Sequence, residues 1–132
     1  MTRKIEFSFE ELRVYQKSLD FIDEIYLLTH DFPDDERFGL TSQYRRAAQS
    51  IALNVAERAG DTDAQFNRFL AIAQGSIKEC IVCSTIATRQ KFISETVNIN
   101  SRTTLLQMAK MITNLQKYLK NNTPDNRLKT KD

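Results

Sequence analysis

Apolar positions recur along this chain at steps of three and four. Leu12, Tyr15, Leu19, Ile22 and Tyr26 form one such row, and Val14, Phe21, Ile25 and Leu28 lie in a second row beside it. That is the period of an α-helix. Together the rows cover more than half the circumference and leave Arg13, Lys17, Asp20, Asp23 and Glu24 for solvent. A helix with so wide an apolar arc needs neighbours on two sides. Ser8, with Glu11 three residues on, predicts a capping box at its start.

Three further segments repeat the pattern. Leu40, Tyr44, Ala47, Ile51 and Val55 share one face of the second. The third opens with a Thr62–Gln65 capping-box pattern and continues through Phe66, Phe69, Leu70, Ala73, Ile77, Cys80, Ile81 and Ser84. The fourth starts near Ser94 and carries Leu105, Met108, Ile112, Leu115 and Leu119, the alternating spacing of a bundle seam. Breaks fall at Asp31–Asp35, at Ala59-Gly60-Asp61 and, more weakly, between Lys91 and Ser94. The reading is four helices near 9–31, 36–59, 63–91 and 95–121. Joined by short loops, they predict an all-α, antiparallel up-down-up-down four-helix bundle spanning residues 1–121. A polar tail, 122–132, follows.

Composition agrees. Three glycines and two prolines in 132 residues are too few for the tight turns of an all-β protein. No apolar run approaches the ~20 residues of a membrane span, and no signal-peptide pattern opens the chain. Cys80 and Cys83 do not suggest a secreted disulfide scaffold, so the compartment reads as cytoplasmic. The net charge is +2, but residues 1–36 hold ten acidic against four basic side chains, whereas residues 37–132 hold seven against fifteen. Such a split can steer partners or hold one subunit against another.

Catalytic chemistry finds no constellation. Bundle metal sites use paired Glu-x-x-His motifs, and this chain has one histidine, His30, at a predicted helix end. Cys80-x-x-Cys83 lacks two further soft ligands. No phosphate loop or nucleophile motif is present. The expectation is no enzyme, no metal and no cofactor.

Three surfaces are more informative. Gln43, Arg46, Ser50, Asn54 and Glu57 form a polar stripe beside the apolar face of the second helix, with Gly75, Ser76 and Glu79 as counterparts on the third. One reading is a polar seam in which Arg46 pairs with Glu79; the other is ligand or RNA contact. Opposite the core stripe of the third helix lie Ile72, Val82, Cys83 and Ile86, an apolar back face that suggests an oligomer interface. From Thr96 to Pro124 there is no acidic residue, and Arg102, Lys110, Lys117 and Lys120 lie away from the seam. Basic residues clustered on an exposed helix can neutralise phosphates, although a solvated face explains them as well.

The stretch Phe38-Gly39-Leu40-Thr41-Ser42-Gln43-Tyr44-Arg45-Arg46-Ala47-Ala48-Gln49-Ser50-Ile51, with Asn54-Val55-Ala56-Glu57 after it, resembles the signature of the bacterial four-helix-bundle proteins encoded in intervening sequences of 23S rRNA genes. Leu12 to Lys17, Phe32-Pro33 and Phe69 to Ser76 fit as well. Where the family usually has glycine after Asn-Ile-Ala-Glu, this chain has Arg58, which passes the helix-ending role to Gly60. The resemblance implies a non-enzymatic homo-oligomer, with the pentamer preferred. It extends to the accessory variability determinant of diversity-generating retroelements, a basic pentamer that partners a reverse transcriptase and nucleic acid. Two functions follow: an RNA- or nucleoprotein-binding accessory factor, with Arg45, Arg58, Arg102, Lys110, Lys117 and Lys120 as contacts, or a structural or protein-interaction module with no nucleic-acid role.

Overall fold

The computed structural model describes residues 5–57 and 62–121. It contains four α-helices: α1 (Arg13–His30), α2 (Leu40–Ala56), α3 (Asp63–Arg89) and α4 (Glu95–Asn121). Each packs on the next, and α4 closes back on α1, so the order is that of an up-down-up-down bundle.

The start of α1 differs from the expected capping box. Ser8–Glu11 is a separate 3₁₀ turn, and Leu12 is extended (ψ 126°) between it and α1. The capping carboxylate is that of Glu10, which accepts from the Phe7 amide at 2.9 Å. Aromatic packing accounts for the shift. Phe9 sits edge-on to Tyr15 at 5.2 Å, and a continuous helix through Leu12 would carry it elsewhere. Likewise α2 begins at Leu40, not at residue 36. Asp34–Glu36 form their own 3₁₀ turn, and Gly39 (φ −110°, ψ −112°) lies outside helical space. Arg58 and Gly60 lie outside the described residues, as does the 122–132 tail.

The other ends follow the sequence closely. The Thr62 hydroxyl accepts from the Gln65 amide at 3.2 Å, and the Gln65 side chain returns the bond. Ser94 caps α4 by accepting from the Val97 amide at 3.1 Å. At the end of α3, Lys91 is left-handed (φ 66°). Lys91 N–H donates to the Thr88 carbonyl and Phe92 N–H to the Ala87 carbonyl at 2.8 Å. These are the two bonds of a Schellman cap, built here without glycine. The Phe92 ring then packs against Phe32 at 5.4 Å, joining the two loops at that end of the bundle.

The core draws on every helix. Phe21 and Ile25 from α1, Tyr44 and Ile51 from α2, Leu70 and Cys80 from α3, and Leu105, Met108 and Ile112 from α4 are fully buried. In α1 the row through Phe21 and Ile25 is the core row, whereas Leu19 and Tyr26 stay partly exposed on the flank toward α2. Leu115 is half-buried. Among the described residues α3 is long and apolar enough to cross a membrane, contrary to the expectation from sequence. Its apolar content serves the bundle, since nine of its residues, from Phe66 to Ala87, are buried between α2 and α4.

A polar layer crosses this core. Ser84 donates to Asn98 Oδ1 at 2.7 Å, and Asn98 Nδ2 donates to Glu95 at 3.1 Å. The Tyr44 hydroxyl lies near Ser84 and Ser101 but completes no hydrogen bond of good geometry. Burial pushes its pKa up to about 12, although the two serine hydroxyls pull the other way.

Candidate functional site

The basic residues of α4 divide into two kinds. Arg102 is tied inward: Nη2 donates to Thr85 Oγ1 at 2.6 Å and Nε to Asn98 Oδ1 at 3.3 Å. It clamps α4 to α3 while its surface remains exposed. Lys110, Lys117 and Lys120 are exposed along the second half of the same helix. Three ammonium groups on one helix with no carboxylate in the sequence around them make a positive face of about three turns.

Arg45 does not reach outward. Its guanidinium lies 4.5 Å from the centre of the Tyr26 ring, and Nε donates to Thr29 Oγ1 at 2.8 Å. Gln49 adds a 2.5 Å bond to the Tyr26 hydroxyl, so this cluster fastens α2 to α1. The long side chain folds back along the surface because an aromatic face and a buried hydroxyl are in reach.

The polar stripe of α2 is a seam in part. Asn54 Nδ2 donates to Ser50 Oγ at 3.0 Å, and Ser76 Oγ donates to Ser50 Oγ at 2.8 Å. The first bond lies within α2, and the second, from Ser76 on α3, fixes the register of α2 on α3. Gln43, not Arg46, supplies the bond to Glu79, at 3.4 Å, and Arg46 is exposed. Glu57 is exposed at the end of α2. A Cβ built on Gly75 meets open space, so no backbone within the subunit approaches it.

The back face of α3 also resolves into parts. Val82 (56% exposed), Ile86 and Ile72 face outward, whereas Cys83 is buried at 3% and belongs mainly to the core. Burial raises the Cys83 thiol to about 11 and the Cys80 thiol further, so both stay protonated near neutral pH. Val82 and Ile86 line an apolar groove of about 590 Å³ with Leu40, and the charged residues Glu36, Lys78 and Glu79 also line it. Sequence reasoning found the α3 wall but missed the α2 wall, because α2 was expected to begin earlier.

A second omission is Phe38, which is 91% exposed with the Arg37 guanidinium 5.7 Å from its ring centre. A ring and a guanidinium can stack on a base. Asp34 and Asp35 stand beside them, however, and their charge opposes a phosphate. The lysine face of α4 lies in a stretch of sequence, Thr96 to Pro124, that carries no acidic residue. Among the described residues no group of three or more His, Cys, Asp or Glu side chains is placed to hold a metal ion.

Comparison with known proteins adds three findings. A solved protein of unknown function from the S23 ribosomal protein family of Bacteroides thetaiotaomicron superposes with a TM-score of 0.69. At 24% identity, covering 79% of this chain and 95% of that one, it supports the bundle fold. No curated protein matches the chain. Residues 10–114 match the family described as 23S rRNA-intervening sequence protein, a span reaching from the 3₁₀ turn before α1 into the lysine face of α4, and the chain belongs to that family.

Proposed function

We propose that the protein is a non-enzymatic, cytoplasmic accessory factor that works as a homo-oligomer and binds RNA or an RNA-bearing protein. The observation that carries this reading is the exposed lysine face of α4, Lys110, Lys117 and Lys120, with no carboxylate between Thr96 and Pro124. Repeated around an assembly, three charges per subunit become a belt whose field exceeds that of one patch. Contact of this kind positions phosphates without reading bases, so binding is sequence-tolerant. We infer from the sequence resemblance to retroelement accessory determinants that the same chemistry would serve a partner that itself carries nucleic acid.

The test is binding of a single-stranded RNA to wild type and to a Lys110→Gln/Lys117→Gln/Lys120→Gln variant across a salt series. Each phosphate contact contributes about 0.7 to the slope of log affinity against log salt, so the variant should be shallower by roughly two. Absence of binding at low salt, or a variant with unchanged affinity and slope, removes the RNA reading. The apolar groove then favours the second reading, a structural or protein-interaction module.

A further inference from the structure

The groove between α2 and α3 has a counterpart on the same molecule. Ile99 and Leu106, seven residues apart on α4, are 58% and 55% exposed. They bracket Arg102. This is the spacing by which an amphipathic helix anchors in a groove, one contact every two turns. The groove supplies the complementary surface: apolar Leu40, Val82 and Ile86, with two carboxylates, Glu36 and Glu79, against one ammonium, Lys78, in its lining. Glu79 is oriented by its bond from Gln43.

Position along the bundle selects the occupant. Arg102 bonds Thr85, which puts the Ile99–Leu106 patch level with Val82 and Ile86. The two patches nevertheless face different ways. The Ser76 and Glu79 side of α3 meets α2, and the Thr85 side meets α4. A rotation about an axis parallel to the helices therefore carries one patch onto the other with no slide along that axis. Surfaces related in this way make head-to-tail contacts that can close into a ring.

We infer that the groove is filled by the first half of α4 from a second copy of this chain. Ile99 and Leu106 pack on Leu40, Val82 and Ile86, and Arg102 meets the carboxylates of Glu36 and Glu79. The inference rests on the assembly part of the function proposed above and not on RNA binding. It leaves Lys117 and Lys120, further along α4, outside the contact.

Head-to-tail contact predicts complementation. Wild type should sediment as an oligomer, and Val82→Glu and Leu106→Glu should each fall to the 15.3 kDa monomer. Mixed in equal amounts, they should form a dimer of twice that mass and nothing larger, because each retains the surface the other has lost. Ile86→Lys and Ile99→Lys provide a second pair, and far-UV circular dichroism confirms that each variant is folded. A Leu106→Glu protein that assembles like wild type overturns the inference, as does a mixture that stays monomeric. A monomeric wild type at micromolar concentration overturns the assembly reading itself. RNA binding by the monomeric variants separates both failures from that of the lysine face.

Discussion

Replacing Lys91 by glycine should stabilise the protein. Lys91 holds a left-handed conformation (φ 66°) at the end of α3, and both Schellman bonds, Lys91 N–H to Thr88 and Phe92 N–H to Ala87, depend on that geometry. For a residue with a Cβ the left-handed region costs roughly 1–2 kcal/mol, and glycine does not bear it. Glycine also loosens the unfolded chain, which returns about 0.4–1 kcal/mol. The net gain should be on the order of 0.5–1 kcal/mol. Lys91→Val provides the opposite arm, because a β-branched residue fits the left-handed region worst, and it should destabilise by about 1 kcal/mol or more. Urea titration followed by circular dichroism at 222 nm reads both as shifts in midpoint at constant slope. A glycine variant less stable than wild type, or a valine variant equal to it, would show that the chain does not turn left-handed at residue 91.

Two further predictions concern the core. Ile112→Ala should cost roughly 2–5 kcal/mol, because Ile112 is fully buried, and Leu115→Ala clearly less, because Leu115 is half-buried. Thermal melts yielding equal losses would mean that the seam is misplaced. Tyr44→Phe removes a buried hydroxyl that completes no hydrogen bond, so stability near neutral pH should hold or rise slightly. Because the folded pKa of Tyr44 lies above the unfolded value, the unfolded chain loses this proton first, and wild type should weaken between about pH 10 and pH 12. The Tyr44→Phe variant should lack that part of the alkaline loss, on the order of 2 kcal/mol; parallel stability–pH curves for the two proteins would refute the burial of this group.

Legibility in the sequence tracked the physics of each element. The α4 seam was plain because its 3-4 spacing is uninterrupted from Leu105 to Leu119. Carried backwards, the same spacing reaches Ser101 and Asn98, and that is the signal for the polar layer that an apolar search passes over. The α3 cap at Lys91 gave no signal, since the residue type usual at that position is absent. The start of α1 was hidden because Ser8 and Glu11 satisfy the local capping pattern while the more distant Phe9–Tyr15 contact overrides it. Arg45 was misplaced for a related reason. A helical wheel locates a Cα and says little about where a long side chain lies down, and here it lies on Tyr26.

The two cysteines of α3 form a built-in clock for unfolding. Cys80 and Cys83 are buried, and burial holds both thiols protonated, so neither reacts while the bundle is closed. A thiol reagent under native conditions therefore labels only molecules that have opened. When opening and closing are fast relative to labelling, the observed rate divided by that of an unfolded peptide gives the fraction open. Cys80 packs at the centre of the core, so its labelling reports opening of the bundle interior. Cys83, one turn further on and bordering the groove, reports loosening of α2 from α3. Where the two rates separate, the bundle opens in parts; where they coincide, it opens as a single cooperative unit.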